Sequence, residues 1–458
     1  MKQLSFLLML VCCLIFTPSI TSANEATSIT DRVIIQVTAP SGKETITSVT
    51  WGEYDAIQKQ QSVRAASISP TKVQMIEPDY IRYAHSATFQ AQSAPWGTGR
   101  IGAQKMQQLF TSNAGSVIVA VIDTGIDYTH SFFRNRIVAG YDFVDDDSDP
   151  MDVQYHGTHV AGIIAKTTSE NVKIMPIRAL DDKGNGYDSN VARGIRYAVD
   201  NGAAVINMSF GGDRYSRYLA DAIAYAHSNN VLVVVSSGNE GKNTANFYPA
   251  SEEKAIVVTA TDRSDHIARF SNTGATIDVS APGVGIISTI PGERFGVLDG
   301  TSMAAPFVSG IAAMMKLDNP KRSNTAIEAL LKKYVDDLGA IGWDPYYGEG
   351  IINVSSFMKT DLTKPLISKQ TTLLPSHKNV ALDKEWSIKF DRQFSDHSIV
   401  TVKMHQGSRE LPIQLVPNLL NKEIIVQPIK PYEYSTVYWF EIIVRNGKSY
   451  VMEFQTID

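Results

Sequence analysis

The chain is almost without cysteine: Cys12 and Cys13 are the two in 458 residues, and both lie in the first hydrophobic stretch. If that stretch is removed, the mature chain has neither disulfides nor a cysteine nucleophile. Stability outside a cell must then come from core packing or bound ions. Charge of one sign is also lacking, with 42 Lys and Arg against 47 Asp and Glu and a net charge of -5. That balance gives no reason to expect nucleic acid or an anionic membrane as partner. No second apolar run of about 18 residues or more follows the first, so no further membrane span is expected and the rest should be soluble. No sortase motif is present, and no His-Glu-x-x-His motif that would point to a zinc protease. The His156/His159 pair has no evident third ligand.

What is present begins with that first stretch. Leu4 through Phe16 is apolar, follows Lys2, and gives way to Thr21-Ser22-Ala23. A positive start, a short apolar core and small residues at the end make the pattern of a secretory signal peptide, here 1–23. An uncleaved anchor is the alternative, but the segment is short for a span. A lipoprotein cysteine is disfavoured because Val11 precedes Cys12 and apolar residues continue beyond it.

The length suggests about three domains, and 43% hydrophobic with 19% charged residues is ordinary for a globular chain. Residues 24–90 read as a small α+β unit. Arg32–Val37 and Val73–Ile76 have strand composition, and the polar stretch 51–65 between them could be helical. Ser86–Ser93 carries no regular pattern. Over 91–358 apolar strands (Val117–Ile122, Val172–Ala179, Ala204–Met208, Val231–Ser236, Ala255–Ala260) alternate with helical patterns (His159–Lys166, Asp188–Asn201, Tyr218–Ser228). Near-continuous apolar strands alternating with helices imply an α/β fold with a parallel sheet covered on both faces. Residues 359–370, with Pro365, read as a linker. Short alternating strands over 371–458 (Trp386–Phe390, Ile399–Met404, Glu423–Val426, Val437–Val444, Tyr450–Phe454) suggest a β-sandwich. Trp386, Tyr438 and Trp439 are expected in its core.

Three segments carry the chemistry: Val121-Ile122-Asp123-Thr124-Gly125, His156-Gly157-Thr158-His159 and Gly300-Thr301-Ser302-Met303-Ala304. Each sets one candidate catalytic group, Asp123, His156 or Ser302, beside glycine or small residues that let a substrate approach. Serine attack on a carbonyl needs these three types. The hydroxyl is a weak nucleophile, an imidazole takes its proton, and a carboxylate holds that imidazole's tautomer. Asp123 directly follows a buried strand, where ligands bind in open α/β sheets. His156 and Ser302 each open a helix, and Pro306 lies near the start of the second.

These segments, extended to Val119–Asp127, His156–Gly162 and Gly300–Pro306, resemble those of the subtilisin family of serine proteases over roughly residues 91–355. The order Asp, His, Ser is the one subtilisin itself shows. The resemblance implies a subtilisin-like three-layer domain and a serine endopeptidase acting through an acyl-enzyme. Ser302 would be the nucleophile, His156 the general base, and Asp123 the orienting carboxylate, with His159 structural. Ser236–Gly241 resembles the family's oxyanion segment, with Asn239 donating its amide beside the backbone N–H of Ser302. Gly184-Asn185-Gly186 and Ser209-Phe210-Gly211-Gly212 would line the non-primed subsites. The second would wall the pocket for the residue before the scissile bond, and Phe247 falls where relatives often carry a small residue at that pocket's base. The strong calcium site formed by a loop inserted after the catalytic histidine in many relatives is expected to be missing, with Phe132 at its carboxylate position. Asp142, Asp145, Asp147 and Asp149 instead resemble a calcium loop of the thermitase-like branch, against the alternative of a solvated acidic loop. Residues 24–90 then read as an inhibitory pro-domain and the chain's own first substrate, cut near Gln90–Ala91. Residues 371–458 look like bacterial Ig-like domains. The expected partners are protein and peptide substrates, with no stable membrane anchor after signal cleavage, in a secreted enzyme, with association to the cell surface as the alternative. A protease dedicated to one secreted peptide is the second reading, and a non-catalytic surface binding protein the third.

Overall fold

In the computed structural model the described residues are 31–38, 44–55, 72–84, 95–110, 115–357, 371–373, 377–381, 383–389, 399–406, 409–411, 413–418, 423–429, 431–432, 437–444 and 449–456. The expected signal peptide 1–23 with both cysteines, the stretch Ser86–Ser93 with the junction Gln90–Ala91, and the linker 359–370 lie outside them. The chain forms two compact units that divide between Ser356 and Phe357.

The first unit is built on a nine-stranded sheet. Its strands run in the order β16 (Val335–Asp336), β17 (Ile351–Ile352), β13 (Val279–Pro282), β12 (Ala255–Thr261), β11 (Leu232–Ser236), β9 (Ala203–Met208), β5 (Val117–Asp123), β7 (Val172–Arg178) and β6 (Tyr141–Asp142). All neighbours are parallel except β16 and β17. The five strands expected from sequence lie within one residue of their observed limits. Strands such as Val205–Met208 and Val233–Val235 are buried on both faces, as a parallel sheet covered by helices requires. The helices Asp188–Asp200 and Arg217–Ser228 pack together as neighbours, while His156–Thr167 (the histidine helix) packs against Thr301–Asp318 (the serine helix). The chain leaves β5 for β7 on one side and returns to β9 on the other. This reversal opens a crevice at the carboxyl end of β5, where Asp123 stands.

Two features were not foreseen. The hairpin β14 (Ile286–Ile290) and β15 (Arg294–Leu298) packs onto the histidine helix. A separate three-stranded sheet places β4 (Ile81–Ala84) between β8 (Asn185–Tyr187) and β10 (Phe210–Gly211).

Ahead of β4, strands β1 (Arg32–Thr38), β2 (Glu44–Thr50) and β3 (Lys72–Pro78) form an antiparallel sheet in the order β2-β1-β3, with a short helix at 51–55. Alternation along β1 divides its residues between two faces. Val33 and Ile35 bury against Val49, Trp51 and Tyr54, while Ile34 joins the large core of the parallel-sheet domain. The segment before the parallel-sheet domain thus has one face of its own and one docked.

The second unit is all β. A sheet of β18 (Thr371–Leu373), β19 (His377–Val380), β26 (Ser449–Thr456), β25 (Val437–Val444), β21 (Ile399–Gln406) and β22 (Arg409–Leu411) accompanies a second of β20 (Trp386–Lys389), β24 (Glu423–Pro428) and β23 (Ile413–Asn418). Met404, Phe440 and Phe454 from the first bury together with Val426 from the second, which is the core of a β-sandwich. Tyr438 lies in that core, and Trp386 packs on Phe454 with ring centroids 4.8 Å apart. The side chain of Trp439 lies outside the described residues.

Candidate active site

β5 delivers Asp123 to the crevice and the histidine helix delivers His156 to meet it. Oδ1 of Asp123 lies 2.8 Å from Nδ1 of His156, and both side chains are buried. The approach depends on Gly157: a Cβ there would stand 2.1 Å from the carbonyl oxygen of Gly125 and 3.1 Å from Cβ of Asp123. No side chain larger than hydrogen fits between strand and helix. Burial alone would lower the pKa of His156, but the charge and hydrogen bond of Asp123 outweigh it and hold the imidazole above its ordinary 6.5. His159, one turn on, behaves differently. Its Nε2 faces the carbonyls of Ile286 and Gly296 at 3.1 and 3.2 Å, and burial pushes its pKa down to about 3, so it is a neutral structural group.

Ser302 sits in the first turn of the serine helix, fully buried in this form of the chain. Its hydroxyl donates to the carbonyl of Ser209 at 2.9 Å, while Nε2 of His156 is buried without a hydrogen-bond partner. Pro306 explains the reciprocal bond. As a proline it cannot donate to the carbonyl four residues back, which is that of Ser302. The hydroxyl of Ser209 donates to that carbonyl instead, at 3.1 Å. The first turn of the serine helix is thereby tied to Ser209.

Asn239 follows β11. Its Oδ1 accepts from the backbone N–H of Thr301 at 2.9 Å and from the Thr301 hydroxyl at 2.8 Å. With the oxygen fixed by the residue next to Ser302, the amide nitrogen is the end left to donate. Thr301 was not singled out from sequence, although its place beside Ser302 was available as a signal.

Both expected binding segments border β4, which runs antiparallel to each. Ile81, Arg82 and Tyr83 pair with Tyr187, Gly186 and Asn185, and the N–H of Ala84 donates to the carbonyl of Gly184 at 2.7 Å. On the other side Ala84 pairs with Phe210 and Tyr83 with Gly211. Gly212 is held by Tyr248 through two backbone hydrogen bonds. One step further in this register stands Ser209, whose carbonyl binds the Ser302 hydroxyl. β4 therefore lies as an extended strand between the two expected binding segments.

Other contacts hold this strand's domain in place. Glu77 accepts from the Ser216 hydroxyl and from the N–H groups of Arg217 and Tyr218, at the open start of helix Arg217–Ser228. Asp79 accepts from the N–H and hydroxyl of Ser189 at the start of helix Asp188–Asp200. Helix starts leave N–H groups unpaired, and an acid there is favoured twice, by hydrogen bonds and by the helix dipole. Within the cleft Arg82 and Asp188 form a fully buried pair. Burial pushes the Asp188 carboxyl up to about 6, against the opposing charge of Arg82. Sequence reading missed Glu77, Asp79, Arg82 and Asp188, because no spacing along the chain links them to their partners.

Phe247 packs between Gly211 and Gly238. Its Cε1 is 2.4 Å from the Cβ that Gly211 lacks and 2.8 Å from the Cβ that Gly238 lacks, so the ring wedges between the two walls.

The acidic loop is organised by an arginine. Nη1 of Arg178 binds Oδ2 of both Asp142 and Asp145, and Oδ1 of Asp142 accepts from the N–H groups of Val144 and Asp145. Asp147 accepts from the N–H of Asp149, and Asp149 from the Tyr128 hydroxyl. As placed, these carboxylates do not fit a shell of six to eight oxygens around one cation. Among the described residues no cluster of three or more His, Cys, Asp or Glu is arranged to hold a metal ion. Likewise, no helix among them is long and apolar enough to cross a membrane.

Comparison with known proteins agrees with this site. A sequence profile of the subtilase family (peptidase S8) matches residues 114–350, which span all three candidate catalytic groups. The thermophilic serine proteinase of Bacillus sp. (strain AK1) is 41% identical over 308 residues, covering 64% of this chain and 74% of that protein. Thermitase of Thermoactinomyces vulgaris is 39% identical over 264 residues, covering 55% of this chain and 93% of that one. The cell wall-associated protease of Bacillus subtilis (strain 168) is 37% identical over 310 residues, covering 63% of this chain but 34% of its own length. With the family profile matching more than half of the chain, and with relatives of about 40% identity aligned over most of their own length, the chain is a member of the subtilase family and a subtilisin-like serine endopeptidase.

Proposed function

We propose that the chain is a secreted endopeptidase made as a self-inhibited, self-processing precursor, with Ser302, His156 and Asp123 as its catalytic triad. The observation that carries this reading is β4, seated antiparallel between both cleft edges with its register leading to the residue that binds the Ser302 hydroxyl. In this reading the Ser302 hydroxyl leaves the Ser209 carbonyl and donates instead to Nε2 of His156, which has no other hydrogen-bond partner among the described residues. The imidazole takes the proton as oxygen attacks the peptide carbonyl, and Asp123 holds Nδ1–H and balances the imidazolium. The oxyanion is met by the amide of Asn239 and the backbone N–H of Ser302. His156 returns the proton to the leaving amine, and water then releases the acyl group with His156 again as base.

The register also bears on the first cut. Ala84 opposes Phe210, and a substrate strand continuing in this register would bring its next residue to Ser209, whose carbonyl binds the Ser302 hydroxyl. The first bond cut is then 85–86, ahead of the junction Gln90–Ala91 suggested by the sequence. Mass spectrometry of the released N-terminal fragment tests both points. Active enzyme should yield a fragment ending at residue 85, and Ser302→Ala should accumulate uncut precursor. Identical processing in the two proteins would mean that another protease does the cutting.

A calcium role for Asp142, Asp145, Asp147 and Asp149 rests on the resemblance alone. Binding there would require Arg178 to release Asp145, and no step of the reaction is assigned to it. Secretion rests on the signal-like N-terminus.

A further inference from the structure

We propose that Asp188 makes the fourth subsite of this protease acidic, so that it selects arginine at the fourth residue before the scissile bond. The inference rests on reading β4 as a substrate strand, and it adds which substrates that cleft prefers.

The position follows from the register. If the residue opposite Ser209 supplies the attacked carbonyl, then Ala84, Tyr83 and Arg82 precede it in turn, and Arg82 is the fourth. Side chains alternate along an extended strand. Tyr83 is 44% exposed, whereas Arg82 is 0% exposed and is the largest fully buried side chain among the described residues. The cleft therefore reads the fourth residue and leaves the third to solvent.

What it reads is charge and shape together. Nε of Arg82 donates to Oδ1 of Asp188 at 2.6 Å, and Nη2 donates to Oδ2 at 2.7 Å. This side-on, two-bond fit suits a planar guanidinium, and an ammonium group cannot reproduce it. Nη1 faces the carbonyl of Tyr248 at 3.5 Å, and Glu252 lies close enough for the charge of Arg82 to act on its carboxyl. Asp188 belongs to the enzyme's own helix, not to the segment that is cut away. It is the first residue of helix Asp188–Asp200, where the helix dipole favours a negative charge. Departure of β4 thus leaves the Asp188 carboxyl and the Tyr248 carbonyl facing the space that Arg82 filled, with Glu252 near enough to feel a cation there. A buried carboxylate without a cation is costly, so a neutral side chain there would leave it unpaired.

The test uses the processed full-length enzyme and peptide p-nitroanilides X-Tyr-Ala-Ala with X as arginine, citrulline, lysine or alanine. Citrulline keeps the shape of arginine and removes the charge. The expected kcat/KM for arginine exceeds that for citrulline by about 10–100-fold, the range of a charge-assisted pair, with lysine between them. Asp188→Asn should bring the arginine-to-citrulline ratio close to unity. Equal rates for arginine and citrulline in the unmodified enzyme, or a ratio unchanged in Asp188→Asn, would overturn the proposal while leaving the protease reading intact. Failure to cleave any of the four, with no labelling by a fluorophosphonate, would overturn both. If Asp188→Asn does not fold, the ratio in the unmodified enzyme decides.

Discussion

Replacing Phe247 by alanine should enlarge the pocket for the residue before the scissile bond. The ring stands where Gly211 and Gly238 would carry Cβ atoms, at 2.4 and 2.8 Å from those positions, so it takes the space between the walls. An aromatic side chain buries about 150–250 Å², and roughly 100 Å² of an incoming phenylalanine would leave water in the vacated slot. At about 25 cal/mol per Å² this amounts to about 2.5 kcal/mol, or nearly two orders of magnitude in kcat/KM. Part of that is lost to rearrangement of the walls, so a gain of about 10–100-fold is expected for substrates with phenylalanine at this position. Substrates with alanine there should change little, because their methyl group does not reach the ring. The assay is the ratio of kcat/KM for matched peptide p-nitroanilides ending in Phe or Ala, with active enzyme counted by fluorophosphonate titration. An unchanged ratio in Phe247→Ala would refute the reasoning and show that substrates avoid the slot.

Two further outcomes follow from charge. Because Asp123 holds His156 above its ordinary 6.5, kcat/KM should fall as pH drops through that raised value, since the base must be neutral. Asp123→Asn should move the inflection downward while cutting the rate by about 10⁴-fold, as in other serine proteases. The stability effect has the opposite sense: protonated His156 stabilises the fold below about its unfolded pKa, and that contribution disappears as pH rises through the folded value. In the acidic loop, Asp142 is buried beside Arg178, so Arg178→Met should lower unfolding free energy by about 3–5 kcal/mol in denaturant titration. With Arg178 in place a chelator should leave the Tm unchanged; a fall reversed by added calcium would show that the loop exchanges its arginine for a cation.

The candidate catalytic groups were legible in the sequence because their constraints are local. Gly157 must follow His156 for the helix to approach β5, and Pro306 must be answered by a donor such as Ser209, so short segments carry the signature. The cleft's occupant was not legible. β4 is four residues long, too short for a hydrophobic period, and its decisive partner Asp188 lies 106 residues away. The same holds for Glu77 and Asp79, which become meaningful only beside helix starts that the fold brings to them. The sequence did hold one conflict to notice, an arginine placed where a strand would otherwise be apolar. A fully buried guanidinium is tolerated only with a carboxylate in reach, and here the carboxylate stands on helix Asp188–Asp200 while the guanidinium stands on β4, in the segment proposed to be removed. On the proposed reading, the precursor's inhibition and the mature enzyme's choice of substrate would depend on the same contact. A change at Asp188 should loosen the pro-segment and alter specificity together, and a variant that separated the two effects would show that β4 is not held as a substrate is.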